Sequence, residues 1–258
     1  MPCSGLREKQ ILLTRAEKYY PALSQVVESF GATPVSLPCL AIEDMPQSIA
    51  IGMRLLENCS DVLFTSASGV HAVAKVMADA GRGLFDALLD RRIAAVGRKT
   101  ANALSLLGVG VDIMPTTASQ DGLIEAYEAN GLPDGLLFFR AEQGRDTLVE
   151  SMLQHGVRVA MAPAYRTICP SGDADNVIAK LQAGEIDAVL LGSAKTASHY
   201  LQRVGSLELA NRPVIAAISA NMAIAARVLG LDVQVVAKEA SFEAMLDALA
   251  EYYNSGSR

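Results

Sequence analysis

The chain has 258 residues, 51% hydrophobic and 19% charged, enough apolar material for one large or two small cores and too much for a disordered chain. A formal net charge of -6, no Trp and no basic stripe exclude the electrostatic and stacking footprint of a nucleic-acid binder. No apolar run reaches the ~20 residues of a membrane span, the first ten residues carry no secretion core, and a soluble cytoplasmic protein is expected.

Short runs rich in Val, Ile and Leu that do not alternate with polar residues predict parallel strands buried on both faces. They fall at 10–14, 34–37, 61–65, 93–96, 110–114, 136–139, 157–161, 187–191, 214–218 and 233–236. Helical periodicity fills intervals between them, at 20–30, 69–80, 100–107, 120–128, 147–155, 196–204, 222–229 and 242–252. Gly31, Gly108, Gly156 and Gly230 stand where C-cap glycines belong, and Ser119 and Ser241 where N-caps belong. Cys3, Cys39, Cys59 and Cys169 form no CxxC pair, and His71, His155 and His199 are scattered, so buried free thiols are expected and no metal site.

The chain repeats itself. ILLTRAE at 11–17 matches LLFFRAE at 136–142, and the ungapped match continues through Gly31 with Gly156 and Pro38 with Pro163. DVLFTSASGV at 61–70 matches DAVLLGSAKTA at 187–197. IAAVGRKTANALSLLG at 93–108 matches IAAISANMAIAARVLG at 215–230, and ASQDGLIEAY at 118–127 matches ASFEAMLDAL at 240–249. Four blocks in one order predict a duplicated unit, hence two doubly wound α/β lobes. Residues 36–43 and 162–169 each carry a Pro within a β-like run and are equivalent in the repeat, so they read as edge or linker strands.

Ligands of open parallel sheets bind beyond the carboxyl ends of strands, where helix N-termini point. That rule selects Thr14-Arg15-Ala16-Glu17, Thr65-Ser66-Ala67-Ser68-Gly69, Gly97-Arg98-Lys99-Thr100, residues 140–145, Gly192-Ser193-Ala194-Lys195-Thr196 and Ser219-Ala220-Asn221. Such loops offer backbone N–H groups and a few cations to carboxylates or phosphates. Each residue has a plainer reading. Ser66, Thr100 and Ser193 can be helix caps, Arg15 and Arg140 helix braces, and Tyr165 a packing residue. No GxGxxG, P-loop, GxSxG or HExxH motif is present; Gly108-Val-Gly110 follows a helix and reads as a cap. The residues alone therefore lead to a two-lobed α/β protein that binds an anionic ligand.

An ordered set of motifs goes further. LLTR at 12–15, FTSASGV at 64–70, AVGRKTANAL at 95–104, ASQDGL at 118–123, RAEQGRDTLVESMLQHG at 140–156, Tyr165 and GSAKTA at 192–197 together resemble bacterial uroporphyrinogen-III synthases. The resemblance runs from about residue 10 to 252. It implies flavodoxin-like lobes, the second inserted in the first: lobe one at 1–37 plus 170–258, lobe two at 44–162, and linker strands at 38–43 and 163–169. It implies that hydroxymethylbilane, a linear tetrapyrrole with carboxylates on every ring, loses water and closes with inversion of ring D. No cofactor is expected, and a monomer with transient handover from hydroxymethylbilane synthase is. Tyr165 would be the hydrogen-bond donor to the leaving hydroxyl. Arg15, Thr65, Ser66, Gly97, Thr100, Arg140, Gly144, Arg145, Ser193 and Ser219 would hold the substrate. Ile218-Ser219, Met222 and Ala141 stand where relatives more often carry Ile-Gly, Thr and Gly. Rival readings are a bilobed solute receptor, a tandem receiver-like module and a synthase-like paralogue without activity.

Overall fold

The computed structural model describes residues 4–256; Cys3 lies outside them. The chain forms two compact units, one of Met1–Ala41 with Ile168–Arg258 and one of Ile42–Thr167.

The first unit opens with β1 (Gln10–Leu13), α1 (Tyr20–Ser29) and β2 (Thr33–Ser36). The chain then builds the second unit. Its elements are β3 (Ala41–Asp44), α2 (Pro46–Leu55), β4 (Asp61–Phe64), α3 (Ala67–Asp79), α4 (Leu84–Ala87), β5 (Arg92–Ala95) and α5 (Arg98–Ser105). They continue with α6 (Gln120–Asn130), β6 (Gly135–Ala141), α7 (Thr147–Gln154) and β7 (Arg158–Ile168). The first unit is completed by α8 (Asp175–Ala183), β8 (Ala188–Leu191), α9 (Ala194–Val204) and α10 (Leu207–Ala210). It ends with β9 (Val214–Ala217), α11 (Ala220–Val228), β10 (Val233–Val236) and α12 (Phe242–Asn254).

The sheet orders are β10-β9-β8-β1-β2 and β3-β7-β6-β4-β5. Every residue of β4 and β8 is buried, as a parallel strand covered on both faces requires. The faces separate by alternation along each strand. In the first unit Leu12, Val189, Leu191 and Ile215 pack with α8, α9 and α11, whereas Ile11, Leu13, Leu190 and Ala216 pack with α1 and α12. In the second unit Val62, Phe64, Leu137 and Phe139 pack with α2, α3 and α5, whereas Leu63, Leu136 and Phe138 pack with α6 and α7. Both units are therefore doubly wound. Gly31 and Gly156, equivalent in the repeat, take φ of 79° and 76° to end α1 and α7 in the left-handed region.

The structure corrects the sequence reading in three places. Residues 110–114 form only an isolated bridge, Ala94 to Ile113. The Asp112 carboxylate accepts from Ile93 N–H at 2.7 Å, where a strand would offer its carbonyl, and Pro115 follows without an N–H. In β10 the Gln234 amide oxygen likewise accepts from Ile215 N–H at 2.8 Å, yet that strand continues. Second, residues 157–161 and 163–169 are not two pieces. β7 runs unbroken to Ile168, its register shifting between Arg140 and Ala141, so Pro163–Thr167 belong to the second unit. The missing N–H of Pro163 is absorbed at that irregularity. Third, α2 and α8 lie where no helix was read. In α2, Ile49, Ile51, Met53 and Leu55 alternate like a strand and mask the helical period.

Gly52 lets α2 lie on the sheet, because a Cβ there would stand 2.5 Å from Ala162 Cβ. Gly52→Val is expected to cost about 1–3 kcal/mol in urea unfolding; a loss under about 0.5 kcal/mol would show that α2 shifts freely. Cys39 is fully buried, which lifts its thiol from 9.0 to about 12. The folded state thus holds that proton more tightly than the unfolded one. Its contribution is intact below pH 9.0 and is lost as pH rises toward about 12. The urea midpoint should fall over that window, and less steeply in Cys39→Ala; parallel slopes would show that this thiol ionises alike in the folded and unfolded states.

Candidate functional site

Beyond β1 and β8 the chain leaves toward opposite faces of the first sheet, to α1 on one side and α9 on the other. Beyond β6 and β4 it leaves toward α7 and α3, again on opposite faces. Neighbouring strands that diverge in this way open a crevice past their carboxyl ends, the switch point where ligands of such sheets bind.

In the first unit that crevice is bordered by Thr14-Arg15 and Gly192-Ser193. Thr14 is buried, and its hydroxyl donates to the Leu190 carbonyl at 2.6 Å, which ties the ends of β1 and β8 together. Ser193 caps α9, accepting from Thr196 N–H at 3.1 Å, and Ser219 caps α11, accepting from Met222 N–H at 3.3 Å. Each Ser satisfies one of the orphan amides of its helix, and the positive end of the helix dipole there favours an anion. Arg15 is half-buried; its guanidinium lies 4.5 Å from the Tyr19 ring centroid and 5.2 Å from that of Phe242. Among the described residues Arg15 has no carboxylate partner. Gly192 sits against the same platform, since a Cβ there would stand 3.1 Å from Phe242 Cζ.

The equivalent arginine of the second unit is used differently. The Arg140 side chain is 7% exposed, ion-paired to Asp146, and donates through Nε to the Ala141 carbonyl at 3.2 Å. Gly144 folds directly over it: a Cβ at that position would stand 2.6 Å from Arg140 Nη2. The 141–146 loop is therefore wrapped around its own cation. Gln120 fixes the loop from outside, donating to the Arg145 carbonyl at 2.8 Å and accepting from Leu148 N–H at 3.0 Å. The Arg145 side chain is exposed and has no carboxylate partner among the described residues.

Tyr165 belongs to this edge. It stands opposite Ala141 in the β6–β7 ladder, and its carbonyl accepts from Glu142 N–H at 2.9 Å. Its ring lies along the first turn of α3, with Cε1 3.8 Å from where a Cβ on Gly69 would be. Ser66 caps that helix, accepting from Gly69 N–H at 3.0 Å, and Thr65 is half-buried just before it. Tyr165, Ser66, Thr65 and the 140–146 loop are thus neighbours at one switch point. Gly97 begins α5 in extended conformation, and a side chain there would meet Ala118 at 3.2 Å. Thr100 is 3% exposed with its N–H bonded to the Gly97 carbonyl, so it supports the turn from within.

Sequence reasoning passed over Tyr19 and Phe242 as parts of these edges. Phe242 opens α12 within the fourth repeat block but lies against an arginine near the other end of the chain, a contact no local pattern carries. Among the described residues no group of three or more His, Cys, Asp and Glu is placed to hold a metal ion. No helix among them is long and apolar enough to cross a membrane.

Comparison with known proteins gives a consistent result. The family model for uroporphyrinogen-III synthase HemD matches residues 21–247. The Synechococcus elongatus protein named uroporphyrinogen-III synthase is 27% identical over 253 residues, covering 95% of each chain. A Chlorobaculum parvum protein of the same name is 25% identical over 247 residues, covering 94% of this chain and 98% of its own. The crystal structure of uroporphyrinogen-III synthetase from Helicobacter pylori superposes with a TM-score of 0.61 at 15% identity, over 95% of this chain and 99% of that one. A mutant uroporphyrinogen III synthase from Thermus thermophilus gives 0.56 at 20% identity, over 96% and 99%. These two likenesses show the fold.

The contrast between the two arginines is open to a direct check. Arg140→Met should lower stability by about 1–3 kcal/mol, because an enclosed cation and the loop folded on it lose their partner. Arg15→Met should cost less than about 1 kcal/mol, the size of an exposed cation–π contact. Equal losses in urea unfolding would show that both arginines are structural braces.

Proposed function

Because the chain belongs to the uroporphyrinogen-III synthase family, we propose that it closes hydroxymethylbilane to uroporphyrinogen III, with loss of water and inversion of ring D. The single observation that supports this reading best is the cluster of Tyr165, Ser66 and the 140–146 loop at the switch point of the second sheet. A hydroxyl donor stands there beside a helix N-terminus, the combination an anionic substrate with a departing hydroxyl requires.

The chemistry asks for steering more than for strong acid. The ring nitrogen lone pair expels the hydroxymethyl oxygen, and a donated hydrogen bond assists the departing water. We assign that donation to Tyr165. The electrophilic carbon is then attacked by the substituted carbon of ring D, and the resulting spiro centre opens and recloses in the inverted sense. Without steering, closure through the unsubstituted carbon gives isomer I. Holding the chain for the less direct attack is a matter of position and of excluding water.

Carboxylate recognition falls, in this reading, to Arg15 and Arg145 and to the amides preceding the Ser66, Ser193 and Ser219 cap bonds. Thr65 and Gly97 line the same edges, and Thr100 supports one of them. Arg140 and Gly144 shape the loop that presents Arg145. We further read the protein as a soluble, cytoplasmic monomer that receives hydroxymethylbilane from its synthase.

The deciding measurement is the product isomer ratio. Hydroxymethylbilane is generated in situ from porphobilinogen and its deaminase, the protein is added, and the oxidised porphyrins are separated by chromatography. Isomer III should predominate. Isomer I alone, from folded protein, would turn the assignment to a synthase-like paralogue without activity. In the same assay Tyr165→Phe should lower turnover about 10- to 100-fold at unchanged urea midpoint. Turnover equal to that of the unaltered protein would remove Tyr165 from the mechanism.

A further inference from the structure

The opposite edge of the second sheet holds a feature that the proposed reaction does not use. A cavity of about 640 Å³ opens at the amino ends of β4 and β5, away from the carboxyl-end loops. Its cations are Arg54 at the end of α2, Arg82 before α4, and Arg91 before β5. Its anions are Glu57 and Asp86, and its apolar wall is Met53, Leu56, Ala87 and Leu89.

The three guanidiniums are not neutralised by the two carboxylates. Among the described residues none of Arg54, Arg82 and Arg91 forms an ion pair. Arg82 donates to the backbone carbonyl of Asp86 at 3.1 Å and leaves that residue's carboxylate aside. Arg91 Nε is buried without any hydrogen-bond partner. A buried donor left unpaired costs about 1–3 kcal/mol, more when charged, so the fold holds this half-buried guanidinium at the cavity wall at a cost, although the enclosed Nε itself is out of a ligand's reach. The backbone is bent to deliver it: Asp90 takes φ of 61°, unusual for a residue with a side chain, and Arg91 N–H closes the turn on the Leu88 carbonyl at 3.1 Å.

We propose that this cavity is a second anion-binding site, independent of the carboxyl-end loops, that takes the phosphate or carboxylate head of a small metabolite. Guanidinium forks match the oxygens of either group. Glu57 and Asp86 limit how much negative charge enters, which disfavours an extended polyanion and favours a single compact head. The volume exceeds what a bare oxyanion fills and lies within the range of small-molecule sites. The uncharged remainder of the ligand lies on Met53, Leu56 and Leu89. This inference does not rest on the proposed reaction.

The test is a titration of the full chain with inorganic phosphate, phenyl phosphate and benzoate at fixed ionic strength, followed by amide NMR shifts of residues 82–91. Saturable shifts are expected, with phenyl phosphate binding several-fold tighter than inorganic phosphate. A stronger response to phenyl phosphate than to benzoate would assign a phosphate head, and the reverse a carboxylate. Arg91→Gln and Arg54→Gln should each weaken binding about tenfold or more, the loss of one charge-assisted contact. Arg15→Met should bind as the unaltered chain does. Circular dichroism establishes that each variant is folded; should Arg91→Gln fail to fold, Arg54→Gln, on an exposed helical position, decides. The proposal is overturned by the absence of saturable shifts up to the millimolar range, by Arg54→Gln binding undiminished, or by shifts that disappear in Arg15→Met.

Discussion

Two adjacent parallel strands whose helices depart to opposite faces cannot cover the gap beyond their own carboxyl ends. The rest of the candidate site depends on that constraint. It arises at β1 and β8 in one unit and at β6 and β4 in the other, because the chain winds outward in both directions from β1 in the first sheet and from β4 in the second, where β3 is an edge strand. Helix N-termini then border the gap with unspent amides, and the residue following the strand is held at its rim. A protein of net charge -6 can thereby take up anions without a basic surface, since the positive potential comes from backbone dipoles and a few placed guanidiniums.

The two units each carry such a rim, and the two differ in what they do with the arginine at the equivalent place. Arg140 is enclosed by a loop of its own, capped by Gly144 and paired to Asp146, so most of its hydrogen-bonding capacity is spent inside the protein. Arg15 leans on Tyr19 and Phe242, whose rings orient a guanidinium without consuming its donors. A flat cation stacked on aromatic faces loses little freedom when a carboxylate arrives, so it is already arranged for recognition. Tyr165 follows the same logic: its backbone is fixed by the β6–β7 ladder while its ring is carried to the first turn of α3.

The amino edge of the second sheet is organised on different terms. Its charges come from side chains: Arg54 on α2, Glu57 just after it, Arg82 and Asp86 about the start of α4, and Arg91 on the turn before β5. Arg91, directly before β5, keeps a buried Nε without a hydrogen-bond partner. The two ends of one sheet thus differ in kind, helix N-termini bordering one and guanidiniums the other.

Much of the architecture was legible in the order of residues. The non-alternating apolar runs DVLF and AVLL are strands covered on both faces, as read, the repeated blocks pointed to two units of one kind, and Ser119 and Ser241 cap the helices their spacing announced. Local pattern carries these because strand burial, capping and helix termination involve neighbours a few residues apart. What lay outside its reach depended on partners distant in the chain. Residues 110–114 read as a strand until Asp112 is seen to take the ladder bond of Ile93, and β7 reads as two pieces until its pairing with β6 is seen to carry it past Pro163. Arg15 and Arg140 are interchangeable in sequence; only folding brings Phe242 to one and wraps Asp146 around the other, so only the tertiary structure decided which guanidinium remains free to meet a carboxylate.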